Sequence, residues 1–274
     1  MYITNSPEIA LIAENAGVNR IFIDLEYIGK ELRQGGMDTV KNRHTSKDVK
    51  KIKSVLTKAE VLARVNPVHN FSPNKKYMGT EREVASVIRA GADIVMLPYF
   101  KTADEVRRFI KAVKGKARTM LLFETPESIE NIDEILSIDG IDEVFIGLND
   151  LSLGYGYSFM FQPLANGMVD DIVEKFKTKK LPYGFGGIAS LGRGTLPSEK
   201  IIAEHYRLGS TSVILSRSFC NVSVIDNLDV IKMIFKGGIK EIRDYEKYCK
   251  KQDEIFFTEN SKTVTKTVEK ICKG

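Results

Sequence analysis

Eight short β-branched runs, each followed by an amphipathic helical stretch, predict an α/β chain folded as a (β/α)8 TIM barrel with additional C-terminal helices. Strands that alternate with helices are joined by crossovers and so lie parallel. Eight such units take about 250 residues, and the chain has 274. No GxGxxG follows the first strand, which disfavours the alternative of a six-stranded doubly wound sheet around a dinucleotide.

The units read in order. "MYIT" (1–4) is a short strand, and "SPEIALIAENAG" (6–17) is a helix with Ser6 as cap, Pro7 in its first turn and Gly17 as stop. "RIFIDLE" (20–26) is a strand, "SKDVKKIKSVLTKA" (46–59) a helix, "EVLARVN" (60–66) a strand and "EREVASVIRAG" (81–91) a helix. The strand "DIVMLP" (93–98) precedes "TADEVRRFIKAVKG" (102–115), where Thr102 and Glu105 stand in capping-box positions. "RTMLLFE" (118–124) is followed by a helix over 126–138, and "DEVFIG" (142–147) by one near 164–180. "PYGFGG" (182–187) leads to a helix over 198–209, and "TSVILS" (211–216) is the last strand. Residues 1–236 are expected to form the catalytic barrel domain. Residues 237–274 are expected to form a helical extension, with a loop near "FFTENS", packing on the barrel or on a neighbouring subunit.

Composition narrows the function classes. Hydrophobic residues make up 43% and charged residues 28%, the balance of a soluble globular protein. The net charge of +5 is mild, and the lysine clusters sit at helical spacing without aromatic platforms, so no nucleic-acid partner is expected. Three cysteines without metal-like spacing fit a reducing, cytoplasmic compartment. No basic-then-apolar leader and no apolar run of about 18 residues is present, so neither export nor a membrane is expected.

Barrel enzymes work at the C-terminal ends of their strands. There the second strand offers Asp24 and Glu26, the third Arg64 and Asn66, the fifth Glu124 and Thr125, the sixth Asn149 and Asp150, and the seventh a Gly186-Gly187 pair. Two carboxylates from neighbouring strands, Glu124 and Asp150, suit a hard divalent cation that keeps its other positions for water and substrate. Arg64 would set a fixed cation beside a developing oxyanion. A single strand-end acid is more often a helix cap or a surface group; two acids with an arginine point further towards chemistry. The ends of the strands carry no lysine, which disfavours a Schiff base. The glycines of "FGGIASLGRG" (185–194) also suit a phosphate site of the kind barrels form after strands seven and eight.

"RIFIDLE", "LARVN", "LLFETPESIENIDEIL" and "IGLNDLSLGYG", in this order and spacing, resemble the HpcH/HpaI aldolase and citrate lyase beta-subunit family from about residue 7 to about residue 220. The resemblance implies a metal-dependent barrel enzyme that cleaves or forms carbon–carbon bonds beside pyruvate- or acetyl-type enolates. It implies Glu124 and Asp150 as ligands of Mg2+ (or Mn2+), and Arg64 as the enolate-stabilising arginine. Two departures stand out. Where the aldolase branch has a histidine after the strand-two acid, this sequence has Tyr27, and where a glutamine is common two residues before the metal glutamate it has Leu122. "RVN" and "FET" look closer to the citrate-lyase branch.

The polar connection at 27–45 carries Lys30, Arg33, Gln34 and His44. Long connections without helix or strand pattern are often functional; the base is left open, with His44 or a metal-bound water preferred over Tyr27, whose reference pKa of about 10 is far from neutral pH. Arg64 and His44 are thus the expected catalytic residues, and Lys30, Arg64, Gly147, Asn149 and Asp150 the expected substrate contacts. The expected function is a class II-type aldolase acting on a 2-oxo acid or related carboxylate, as a homo-oligomer. The alternatives are an acyl-CoA ester lyase or thioesterase of the citrate lyase beta type, and a non-catalytic carboxylate-binding barrel. Substrate, aldehyde partner and metal identity are left open.

Overall fold

In the computed structural model, which describes residues 1–30, 44–72 and 77–273, eight parallel strands close into a ring in chain order. They are β1 (Tyr2–Ile3), β2 (Arg20–Asp24), β3 (Glu60–Arg64), β4 (Ile94–Leu97), β5 (Arg118–Phe123), β6 (Glu143–Ile146), β7 (Tyr183–Ile188) and β8 (Ser212–Leu215). Tyr2 pairs with Ile21 on one side and Leu215 on the other, which closes the barrel. The (β/α)8 expectation is borne out.

Helices cover the outside: α1 (Pro7–Ala16), α2 (Ser46–Val55), α3 (Thr80–Arg89), α4 (Ala103–Val113), α5 (Pro126–Glu130), α6 (Ile132–Leu136), α7 (Leu148–Gly154), α8 (Gln162–Ala165), α9 (Met168–Thr178), α10 (Ser198–Leu208), α11 (Leu228–Cys249) and α12 (Glu254–Lys273). The caps read from sequence form: the Ser6 hydroxyl accepts from the N–H of Ile9, Gly17 turns left-handed at φ 102°, and Thr102 and Glu105 close a capping box.

Three local expectations are corrected. The stretch 126–138 is two short helices hinged at Asn131, whose side chain instead donates to the carbonyls of Lys101 and Glu127. The helix expected near 164–180 starts only at Met168, because Gly167 at φ 89° breaks it from α8. "FFTENS" is helical, and the break falls at 250–253, ahead of α12. α11 begins at Leu228 and packs on α1, while α12 lies on α8 and α10. There Asn260 donates to the Glu204 carboxylate at 2.8 Å and to the Lys200 carbonyl at 3.0 Å.

The barrel interior follows from the two-residue period of a strand. Phe22, Leu62, Met96, Met120, Leu122 and Phe145 form a buried apolar layer inside the ring. Each contributes about 1.5–3 kcal/mol by leaving water. Two residues below this layer, at the strand starts, Arg20 bonds Glu60 at 3.1 Å and Glu143 at 2.7 and 2.9 Å. Arg118 joins the same two acids. Two residues above it stand Asp24, Arg64 and Glu124. Gly184 makes room for this packing: a Cβ there would collide with the Ser212 hydroxyl and carbonyl and lie 2.6 Å from the Phe145 ring. Gly184→Ala is therefore expected to cost about 1–3 kcal/mol by overpacking, read as a lower midpoint in urea unfolding.

Candidate functional site

The parallel register of β2 and β3 sets Asp24 directly opposite Arg64. Arg64 answers with a two-pronged bond, Nε to Oδ1 and Nη2 to Oδ2, both 2.9 Å, and its Nη1 lies 3.4 Å from Glu26 Oε2. Lys30 donates to Asp24 Oδ2 at 2.7 Å and stands 3.9 Å from Glu26. All four groups are largely buried, so their charges are unscreened and need one another. Burial would raise the Asp24 carboxyl, but Arg64 and Lys30 outweigh it and hold it well below the usual carboxylate range. Burial also works against the Arg64 charge, yet Asp24, Glu26 and Glu124 keep its pKa well above the ordinary value.

Asn66 anchors the exit from β2. Its Oδ1 accepts the N–H groups of Tyr27 and Ile28, both at 2.9 Å, and its Nδ2 donates to Glu83 at 2.7 Å. The buried Glu83 on α3 also accepts from the Asn66 N–H, and burial pushes its carboxyl up. This fixes the start of the chain that leads to Lys30.

Glu124 follows β5 immediately and is 2% exposed. The N–H of Tyr99, whose φ of 48° is rare for a non-glycine residue, donates to its Oε1 at 3.0 Å. A Cβ at Gly147 would come within 2.7 Å of Glu124 Oε2, so only glycine there leaves the carboxylate its place. Asp150 is not at the end of β6, as the sequence suggested. It rides on the first turn of α7, which starts directly after Gly147. Glu124, Asp150, Asn149, Gly147 and Arg64 line one cavity of about 230 Å³ at the mouth, floored by Phe22, Leu122 and Phe145.

This donor set fits a hard divalent cation. Two buried carboxylates line one small space, and Gly147, having no Cβ, leaves the Glu124 carboxylate room beside it. Among the described residues no group of three or more histidines, cysteines and acids converges. That excludes a closed nitrogen and sulfur cage there and suits an ion that completes its shell with water and substrate oxygens.

Lys30 and His44 line an adjoining, larger lobe together with Asp24, Arg64 and Asn149. His44 Nδ1 accepts the N–H of Asp24 at 3.1 Å. The neutral ring therefore carries its proton on Nε2. Burial lowers the His44 pKa, with Lys30 acting in the same direction and Asp24 and Asp48 against it. Arg33 and Gln34 lie outside the described residues.

The other notable groups stay apart. Tyr27 is 52% exposed and stacks on Tyr77 at 6.1 Å, and it lines neither lobe. His69 bonds the Pro67 carbonyl at 2.9 Å. His205 stacks on Phe185 at 3.8 Å, and burial alone pushes its pKa down to about 3. Sequence reasoning placed Asp24 and Glu26 at the mouth without recognising them as the partners of Arg64. It also missed Met160, Thr4, Asn5, Ser216, Arg217 and Asn221, all on the walls of the larger lobe. Closure of β1 against β8 was the available signal, since it brings the loops after those two strands to one mouth.

Residues 3–160, over half the chain, match the family model of HpcH/HpaI aldolase/citrate lyase. The chain belongs to this family. Among curated relatives, the hydroxypyruvate/pyruvate aldolase of Sagittula stellata is 31% identical over 138 residues, 39% of this chain and 53% of that protein. The 2-keto-3-deoxy-L-rhamnonate aldolase of Escherichia coli is 27% identical over 159 residues, 47% of this chain and 60% of that protein. The match thus spans little more than half the length of these relatives. A crystal structure of an HpcH/HpaI aldolase from Desulfitobacterium hafniense superposes with a TM-score of 0.58 at 16% identity, covering 84% of this chain and 91% of that one, a likeness of fold.

Asp24→Asn leaves Arg64 and Lys30 without their shared carboxylate, and a loss of about 3 kcal/mol or more is expected at pH 7. Because the folded pKa of Asp24 lies below the unfolded value of about 3.9, its contribution is complete above that pH and lost as pH falls. The gap between wild type and Asp24→Asn in urea unfolding should therefore be widest above about pH 5 and narrow below about pH 4.

Proposed function

We propose that this chain is a divalent-metal-assisted carbon–carbon lyase of the class II aldolase type, making or breaking the bond next to the pyruvate-like enolate of a 2-oxo acid. The observation that carries this reading is the shared cavity of Arg64, Glu124 and Asp150. Its family and the aldolase names of its relatives support it. Glu124 and Asp150 would hold the ion, Mg2+ or Mn2+, which when bound polarises the 2-oxo carbonyl and makes the neighbouring carbon acidic.

The remaining work falls to side chains of the mouth. Arg64, fixed by Asp24 and Glu26, presents positive charge to the oxygen on which negative charge grows, without reorganising to do so. Asn149, beside Asp150, orients the substrate carboxylate. Lys30 shares Asp24 with Arg64 and offsets part of the acidic charge beside the guanidinium. His44 takes a role the missing family histidine leaves open. With its Nδ1 lone pair engaged by Asp24, it donates from Nε2 to the aldol oxygen rather than serving as the base.

We further propose that the protein works as a cytoplasmic homo-oligomer. The three free cysteines support a reducing compartment. The exposed Val224, Leu228 and Met233, which follow β8 or lie at the start of α11, support a subunit contact that also involves the C-terminal helices. No helix among the described residues is long and apolar enough to cross a membrane.

Exchange of the pyruvate methyl protons in D2O, followed by NMR, is expected with Mg2+ or Mn2+ and should vanish on chelation. Glu124→Gln and Asp150→Asn should each slow it at least about 100-fold, and Arg64→Ala by about 10²–10³-fold. Exchange that survives chelation, or that never occurs in a folded protein, would sink the reading. For His44, the expected loss in aldol cleavage is about 10²-fold on replacement by Ala, with partial recovery in His44→Gln, which retains a donor. Equal losses in both variants would argue against a donor role.

A further inference from the structure

Among the described residues, three that are not glycine adopt a positive φ: Tyr99 at 48°, Lys114 at 55° and Lys180 at 56°. Two of them have an ordinary local cause. Lys114 caps the C-terminus of α4 in the left-handed form that ends many helices, and Lys180 is the second residue after α9. Tyr99 ends no helix. It stands two residues past β4, between the buried Pro98 and Phe100, in a conformation that its side chain disfavours. Such strain persists only where the surroundings over-determine it, and it gathers at working sites.

Here the surroundings that impose it come from the β5 exit. β4 pairs in parallel register with β5, so the two exits lie side by side. Phe100 is fully buried, edge-on to Phe123 with ring centroids 5.1 Å apart, and its carbonyl accepts from the Thr125 hydroxyl at 2.8 Å. One residue on, the Lys101 N–H donates to Glu105 at 2.7 Å and the Lys101 carbonyl accepts from Asn131 at 3.1 Å. Pinned in this way, the strained turn directs the Tyr99 N–H at Glu124 Oε1, 3.0 Å away. Adjacent residues at the end of β5, Glu124 and Thr125, thus take hold of adjacent residues of the β4 exit. The Tyr99 ring stays out of the cavity and lies under Lys101 Nζ at 5.7 Å.

We infer that Tyr99 is a positioning residue for Glu124: its left-handed backbone holds an N–H against the buried carboxylate, so that Glu124 is set in the cavity before any cation arrives. This rests on the divalent-metal reading and deepens it. A charged acceptor strengthens such a bond, and groups that orient a metal-binding side chain are typically worth about 10–100-fold in affinity. The effect is largest for a small ion. Mg2+ demands near-ideal octahedral geometry, whereas Ca2+ accepts an adaptable shell.

Mn2+ binding, read from the EPR signal of the free ion, and its displacement by Mg2+ and Ca2+ test this without turnover. Two altered proteins are compared with wild type. Tyr99→Gly keeps the N–H and adopts the left-handed φ without strain. The other has the Pro98–Tyr99 peptide replaced by an ester, through incorporation of the α-hydroxy analogue of tyrosine; it keeps the ring and lacks the N–H. The ester should weaken Mg2+ at least about tenfold and Ca2+ less than about threefold, because the larger ion tolerates a looser ligand. Tyr99→Gly should stay within about threefold of wild type for both ions, since its N–H is intact. Wild-type affinities in the folded ester protein, equal losses for the two ions, or a loss in Tyr99→Gly as large as in the ester overturn the inference and leave the aldolase reading standing. If wild type binds no divalent ion the metal reading falls, and amide hydrogen exchange followed by NMR decides the inference alone, as it does if the ester protein fails to fold. The Tyr99 amide should exchange at least about tenfold faster in Glu124→Ala than in wild type, as expected for a lost hydrogen bond, while the Leu121 amide keeps its rate. An unchanged Tyr99 rate, or the same acceleration at Leu121, overturns it.

Discussion

The mouth of this barrel is organised around a guanidinium that has no freedom to move. Arg64 sits in register with Asp24 on the adjacent strand, and both ends of its planar fork are engaged by acids of β2 and its exit. Burying such a group is costly unless every charge finds a partner. Asp24, Glu26, Lys30 and Arg64 meet that demand as two acids and two bases. The product is a positive charge whose direction is fixed before any ligand arrives, the form of electrostatic stabilisation that requires no rearrangement during reaction. The Asn66–Glu83 contact behind it holds the chain leading to Lys30, so the cluster is braced from α3 as well.

The same strand period that aims Arg64 also builds what lies beneath it. Along β2 the inward positions read Arg20, Phe22, Asp24, along β3 Glu60, Leu62, Arg64, and along β5 Arg118, Met120, Leu122, followed by Glu124. Each row is charged, then apolar, then charged. A one-residue slip in any of these strands would exchange the interior set for the set that packs under the helices. The ion network at the strand starts and the cluster at the strand ends are thus two readings of one alternation, and the fold and the site share a single specification.

That alternation is why much was legible in advance. Strand ends give themselves away as apolar runs broken by an acid or an arginine, and Arg64, Glu124 and the caps at Ser6 and Thr102 were found on local grounds. What escaped was set by distance in sequence. Nothing near Asp24 reveals that it faces Arg64, because their meeting depends on the register of two strands 40 residues apart. Asp150 was assigned to a strand end because "FIGLND" continues an apolar run; its place on α7 comes from Gly147, which ends the strand and starts the helical turn. Asn131 and Gly167 broke helices that periodicity alone would have continued. The walls contributed by Thr4, Asn5 and the residues after β8 become neighbours only when the ring closes.

The apolar layer between the two charged sets has a consequence for traffic. With Phe22, Leu62, Met96, Met120, Leu122 and Phe145 filling the ring and Gly184 admitting the Phe145 edge, the barrel axis offers neither a water file nor a chain of proton carriers. The mouth is a blind-ended vessel. Whatever enters the mouth must arrive and depart on the same side, past the residues that line it, Asn149 and Met160 among them.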